Sequence, residues 1–444
     1  MSAVSASLLP AHGVGSRGDL PLPFDALVVA ALAVLVISFV AIGLLWREPR
    51  LRPSDGLLLP RWARAVLDSH GVRVVARLLA ALLTLWVLVA LVLGADTAKN
   101  PVAHVVYVWL WVGVAFLSML LGPVWRVINP FRLLHAGLLR AARVGDDLSA
   151  APYRLGLWPA ALGLAAFTWL ELVADDNTTL PVLRLAIGAY AAITVVASLV
   201  FGRVWFDRAD PFEAWSRLLG LLSPLGRRDD GQWVLRTPLH GVNELRGQPG
   251  LIPTVAVMLG STAYDGFSAN LSWATFVQTS PLPAGLVQTA TFVGFCGLVG
   301  ATLWLAAAAS MRLARRPLGD STGFASDLAA ALVPIAGGYV VAHYWSLFVY
   351  QGQVTIALLS RPLGEGSDVL GLAGLTPSSA LIQPTLVATI QAVSIVMGHL
   401  FGVLAAHERA ITVLDRRSAV VGQVPLMVVM IGYTLGGLTL LFTP

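Results

Sequence analysis

This chain is poor in charge, in lysine and in cysteine. Asp, Glu, Lys and Arg make up 12% of its 444 residues, against ~25% in an ordinary soluble domain, so a body solvated on every side is excluded. Cys296 is the single cysteine and sits inside an apolar run. That rules out a disulfide framework within the chain and a Cys-rich metal site. Walker, Gly-x-Ser-x-Gly and His-Glu-x-x-His patterns are missing, so the usual ATPase, serine-hydrolase and zincin chemistries lack their residues. Gly13-x-Gly15-x-x-Gly18 has the letters of a dinucleotide fingerprint, but no strand precedes it and no βαβ unit surrounds it. The residues up to Pro23 lack the basic stretch and apolar core of a secretory leader and read as a polar arm.

Apolar length is what the chain has in excess. Hydrophobic residues reach 57% and mean hydropathy is +0.77. A membrane span needs ~20 apolar residues to cross ~30 Å of hydrocarbon. Ten runs meet or approach that length, at roughly 25–46, 74–94, 103–122, 155–173, 183–202, 250–264, 284–309, 327–350, 381–404 and 423–442. The sixth is short and ends on the polar Thr262-Ala263-Tyr264-Asp265, as a broken or tilted helix would.

Positive charge is sorted among the gaps. Of the 29 Lys and Arg, only Arg17, Lys99, Arg184 and Arg361 lie outside the loops between alternate pairs of runs. Arg-rich loops stay in the cytoplasm, which places both termini outside. Asp96, Asp175, Asp176, Asp265, Glu365 and Asp368 then fall in the outer gaps. The net charge of +5 is juxtamembrane arginine, so it points to anionic headgroups rather than to nucleic acid. Only one of the basic residues is lysine, a bias that fits a GC-rich bacterial genome, so the expected location is a bacterial plasma (inner) membrane.

Gly122-Pro-Val-Trp125, followed by Asn129-Pro130-Phe131, recurs as Gly202-Arg-Val-Trp205, followed by Asp210-Pro211-Phe212. Matching acidic gaps precede both, so the front half reads as two parallel two-span repeats. Asn129 and Asp210 suit an N-cap, and Pro130 and Pro211 suit the first helical position. A short interfacial helix is expected after each. The expected fold is an all-α integral membrane protein of about ten transmembrane helices. It divides into an extracytoplasmic arm (1–23), a front membrane half (24–222), a cytoplasmic linker (223–249) and a back half (250–444).

Ionisable groups inside a bilayer are expensive and tend to mark function. His343 lies in the eighth run, beyond Pro334 and Gly337-Gly338, and His399 in the ninth, with His407 and Glu408 at its end. Toward the outer face lie His12, His104, Glu171, Tyr264, Asp265, Tyr350 and Gln351. Two or three histidines with a carboxylate would hold a divalent metal such as Zn²⁺ with a position left for water. His343, Asp265 and His12 are the expected ligands. His343 and His399, on neighbouring runs, form the alternative of a two-histidine haem site.

Several stretches resemble a group of largely actinobacterial multi-pass membrane proteins, the fenitrothion hydrolase-like family. They are AHGVGSRGDLPLP from Ala11, GPVWRVINPFR from Gly122, RLGLWPAALGL from Arg154, RADPFEAWS from Arg208, GSTAYDGF from Gly260, GGYVVAHYW from Gly337 and GHLFGVLAAHERAI from Gly398. The resemblance covers nearly the whole chain and implies hydrolysis of an apolar aryl phosphotriester drawn from the bilayer. Metal-bound hydroxide would suit that attack on phosphorus. The competing expectations are a small-molecule transporter or permease, suggested by the repeats and the Gly- and Pro-broken eighth run, and a membrane assembly or cofactor-binding subunit.

Overall fold

The computed structural model describes residues 17–52, 55–143, 151–315, 321–364, 366–414 and 421–442. Helix dominates because apolar side chains can enter a bilayer only when the backbone satisfies its own hydrogen bonds. Among the described residues, the membrane helices are α1 (Phe24–Leu45), α3 (His70–Leu93), α4 (Pro101–Leu121), α8 (Leu180–Phe201), α14 (Ala284–Leu313), α16 (Val333–Leu359), α17 (Pro384–Val413) and α18 (Val424–Phe442). The short α15 (Ser321–Ala329) leads through a 3₁₀ turn, Ala330–Leu332, into α16. These eight crossings make the chain a multi-pass membrane protein.

Two further helices occupy the fourth and sixth runs. The first, α7 (Trp158–Leu172), has 15 residues and so is about 22 Å long. The second, α12 (Leu251–Ser268), has 18 residues and carries Thr254, Ser261, Thr262 and Asp265 among its buried side chains. They pack on each other, and α12 also packs on α14 and α16. The helices around them differ sharply in surroundings. In the apolar 18-residue stretches of Phe24–Leu45 and His70–Leu93, 11% of the residues are buried, whereas in that of Thr322–Leu359 the share is 83%. The former present apolar side chains outward to lipid, and the latter is the axis of the bundle.

Contact between α16 and α17 depends on glycine. A Cβ on Gly398 would stand 2.8 Å from the Pro334 carbonyl oxygen and 3.2 Å from the Gly338 Cα. One on Gly402 would stand 3.0 Å from the Ala331 carbonyl oxygen. This is the small-xxx-small spacing that lets membrane helices touch backbone to backbone.

The repeated motifs begin helices as expected. After α5 (Trp125–Ile128), Asn129 accepts from the Phe131 N–H at 2.9 Å and opens α6 (Pro130–Ala141). After α9 (Arg203–Arg208), Asp210 accepts from the Glu213 N–H at 2.9 Å and opens α10 (Pro211–Gly220). The two caps also meet, with Asn129 Nδ2 donating to Asp210 Oδ2 at 3.2 Å and the Tyr190 hydroxyl donating to the same oxygen at 2.9 Å. Leu133, Leu134 and Leu138 on α6 stay exposed, which suits an interfacial helix. By contrast, α10 is buried along nearly its whole length, packed on α4 and α7. Trp215 stacks on Trp111 with ring centroids 4.1 Å apart and donates its indole N–H to the Trp111 carbonyl at 3.1 Å. The second motif is therefore part of the bundle core, not a surface anchor.

The polar segment expected to link the halves contains an ordered hairpin. Strands β2 (Leu225–Arg227) and β3 (Trp233–Leu235) pair antiparallel, and β3 also pairs with β1 (Leu57–Leu58), in the order β1-β3-β2. Asp68, ending α2 (Arg61–Asp68), accepts from Arg227 at 2.7 Å and from Trp233 Nε1 at 2.9 Å. The short α11 (Pro238–Val242) follows.

Candidate functional site: a buried carboxylate, imidazole and phenol

Asp265 lies in the last turn of α12 and His343 and Tyr344 in the middle of α16. Packing of these two helices brings the three side chains together. Asp265 Oδ2 accepts from His343 Nε2 at 2.8 Å and from the Tyr344 hydroxyl at 3.2 Å. Their relative exposures are 7%, 3% and 1%. Two donors on one carboxylate oxygen, one from an imidazole and one from a phenol, fix the orientation of the Asp265 side chain. The imidazole is held by rings on both flanks: Tyr339 lies nearly parallel at 5.7 Å and Tyr344 edge-on at 4.9 Å. Gly266 makes room for this arrangement, since a Cβ there would stand 2.7 Å from the Tyr339 hydroxyl.

Other buried polar atoms surround the pair. The Tyr339 hydroxyl, Ser261 Oγ, Glu171 Oε2 and both amide atoms of Gln391 have no hydrogen-bond partner among the described residues. A buried polar group without a partner costs about 1–3 kcal/mol, so five such atoms mark an interior arranged for more than packing. Glu171, at the end of α7, is close enough to Asp265 for their carboxyl groups to interact electrostatically. Gln391 on α17 is fully buried between Ala388 and Ile395, which pack with Tyr339 and Ala342 beside His343. Also packed on α16, α4 is wound as a π-helix over Val105–Gly113. Interruptions of this kind are frequent at functional sites.

The expected site residues separate into groups. His343 and Asp265 come together, and Glu171 is within electrostatic reach. Tyr264 neighbours Asp265, but its ring meets Phe292 and Phe295 of α14, at 5.7 and 6.1 Å. His399 turns its Nδ1 to the Ile395 carbonyl of its own helix at 2.8 Å. It adjoins the Gly338–Gly398 crossing, where the backbones of α16 and α17 touch, leaving no gap there for a haem ring. His407 bridges the Trp46 carbonyl and Gln423, at 2.8 and 3.1 Å. Glu408 accepts from Trp46 Nε1 and from the N–H groups of Arg50 and Leu51, at 2.9, 2.6 and 2.7 Å. Those two side chains strap residues 46–51 to the end of α17. His104 is buried at the start of α4, and Gln351 is buried two turns beyond His343. His12 lies outside the described residues.

A divalent metal needs at least a third ligand beside Asp265 and His343. Among the described residues, no group of three or more His, Cys, Asp and Glu side chains is placed to hold one. Tyr344, Tyr339 and Gln391 were not expected. Tyr344 adjoins His343 in the chain, and Gln391 is an amide in the middle of the same run as His399, a visible signal. Comparison with family models, with curated proteins and with solved structures gives no match to this chain.

Proposed function

We propose that this chain is a proton-linked permease for a small molecule, with Asp265, His343 and Tyr344 as the group that takes up and releases the proton. The observation that carries this reading is the direct 2.8 Å bond between a carboxylate and an imidazole, both buried, in the most enclosed part of a membrane bundle. Intramembrane Asp and His side chains that face a bundle interior are the parts from which proton relays are built. The unpartnered Gln391, Tyr339 and Ser261 side chains give a polar surround for a solute or water, and the π-wound stretch of α4 gives a flexible neighbour. The reading takes the chain as ten spans in a bacterial plasma membrane with both termini outside. The short α7 and α12 count as the fourth and sixth spans, and the two parallel repeats form the front half.

The test needs no substrate. Protein in liposomes on a capacitive sensor is stepped in pH and the charge displacement recorded. The wild type gives a transient current that Asp265→Asn and His343→Gln abolish and Asp68→Asn leaves intact. A current that survives in the first two variants, or no current in the wild type, removes the proposal.

A second reading follows from the resemblance to fenitrothion hydrolase-like proteins. There the Asp265–His343 pair acts as a general base on a water that attacks the phosphorus of an apolar aryl phosphotriester entering from the outer leaflet. Nitrophenolate release by the wild type but not by His343→Gln, without a pH-step current, decides for that reading.

A further inference from the structure

On the face of the bundle that carries the Arg-rich loops, a cavity of about 410 Å³ opens between the ends of α4 and α10, the hairpin and the segment after α11. Its size falls within the range of small-molecule sites, ~300–1,000 Å³. The cavity is distant in the fold from Asp265, being lined by the far end of α4 and by none of the residues of the polar centre.

Its walls are fixed before any ligand arrives. Trp233 is held by Asp68 and lies under the Arg227 guanidinium, 4.2 Å from the ring centroid. The Gly247 N–H donates to Asp327 at 2.9 Å and the Gln248 N–H to Ser326 at 3.0 Å. Arg409 holds the Leu245 carbonyl and pairs with Asp327 at 3.3 Å. Gly220 closes on the Gly122–Pro123 turn, where a Cβ would stand 2.8 Å from the Pro123 nitrogen.

The lining has two characters. Leu121, Leu221 and Leu225 contribute apolar residues, and Arg217, Arg236 and Arg246 contribute basic ones. Glu244 pairs with Arg236. Neither Arg217 nor Arg246 has a carboxylate at ion-pair distance among the described residues. Arg217 is half-buried and makes a long hydrogen bond, 3.4 Å, to the Asp207 carbonyl. Two arginines and three leucines lining one cavity suit an anion that brings its own apolar body. Guanidinium forks match phosphate oxygens geometrically, and basic pockets of this kind at the inner end of spans suit anionic lipid headgroups.

We infer that this cavity is a binding site for a phosphate-bearing anion, held by Arg217 and Arg246 with its apolar part against the leucines. The probes are short-chain phosphatidylglycerol, short-chain phosphatidylcholine and inorganic phosphate, each titrated against purified full-length protein. The variant Arg217→Gln/Arg246→Gln removes both charges. The control, Arg312→Gln/Arg315→Gln, removes two charges from the exposed end of α14 on the same face.

Phosphatidylglycerol should bind in preference to phosphatidylcholine. The cavity variant should weaken it about tenfold, as losing a charge-assisted phosphate contact does, while the control leaves it unchanged. If inorganic phosphate alone competes, the natural ligand is a soluble phosphate compound; if only the lipid binds, it is a headgroup. Both outcomes support the site. Equal weakening in the two double variants, or neither lipid preference nor phosphate binding, overturns it. Should the double variant fail to fold, Arg246→Gln alone, at an exposed side chain, gives the same comparison.

Discussion

Removing Asp265 tests whether the buried group acts as one unit. Asp265→Ala takes away the acceptor for His343 at 2.8 Å and for Tyr344 at 3.2 Å. It takes one acceptor each from a buried imidazole and a buried phenol, and a lost buried hydrogen bond costs about 1–3 kcal/mol. Breaking one side of a buried pair costs about 3–5 kcal/mol, so a loss of that size is expected. His343→Ala removes the 2.8 Å partner of the carboxylate, keeps the Tyr344 bond and opens a gap beneath the Tyr339 ring, for about 3–4 kcal/mol. The double variant removes both partners at once, so it should fall short of the sum by about 1.5–3 kcal/mol. Tyr344→Phe, which loses the longer of the two bonds to Asp265, should cost about 1 kcal/mol. Reversible SDS unfolding in mixed micelles, followed by far-ultraviolet circular dichroism, measures all four. Additivity within ~0.5 kcal/mol would show that Asp265 and His343 do not depend on each other, and the reasoning would fail.

Other sites give sharper local tests. Gly398→Leu should lower stability by at least ~2 kcal/mol by forcing α16 and α17 apart, while Gly297→Leu, where nothing stands within 4 Å of an added Cβ, should be nearly neutral in the same unfolding assay. Asp210→Ala removes the α10 cap and strands the groups of Tyr190 and Asn129, for about 2–4 kcal/mol. Asp210→Asn should recover part of that loss, and equal loss in both would contradict the capping role. At the hairpin, bonds from Trp233 and Arg227 hold the Asp68 carboxyl below its usual 3.8. A folded value below the unfolded one contributes stability that is complete above the ordinary carboxylate range and is lost as pH falls through the folded value. Trp233 fluorescence should therefore report the hairpin loosening at low pH, in a step absent from Asp68→Asn.

Most of the architecture was legible in the sequence because bilayer thickness imposes a length on apolar runs. The run at α12 fell short for a physical reason. The helix α12 is buried along most of its length among other helices, so it needs neither a full hydrocarbon-spanning length nor an apolar surface all round, whereas α7 is simply shorter and keeps Trp158 and Leu162 exposed. Asn129-Pro130 and Asp210-Pro211 announced their helix starts through local capping chemistry. They could not announce that α10 would be buried, since that depends on Trp215 meeting Trp111. Asp229-Asp230-Gly231 between two short β-prone stretches was a hairpin signal, with Gly231 at φ +80°, but the partner strand at Leu57–Leu58 was out of reach of local reasoning. His343 and Asp265 stood out by depth alone. Their bond, the flanking Tyr339 and the buried Gln391 follow from helix packing, and the π-wound stretch of α4 has no local signature in its run of valines and tryptophans.

The central claim is that Asp265 gains and loses a proton in concert with His343. Infrared difference spectroscopy of the protein in lipid, cycled between acidic and alkaline buffer, reads this directly. The account predicts a protonated-carboxyl C=O band that is absent in Asp265→Asn and displaced in its pH midpoint by His343→Gln and Tyr344→Phe. A band unchanged in Asp265→Asn, or a midpoint indifferent to His343, would contradict it.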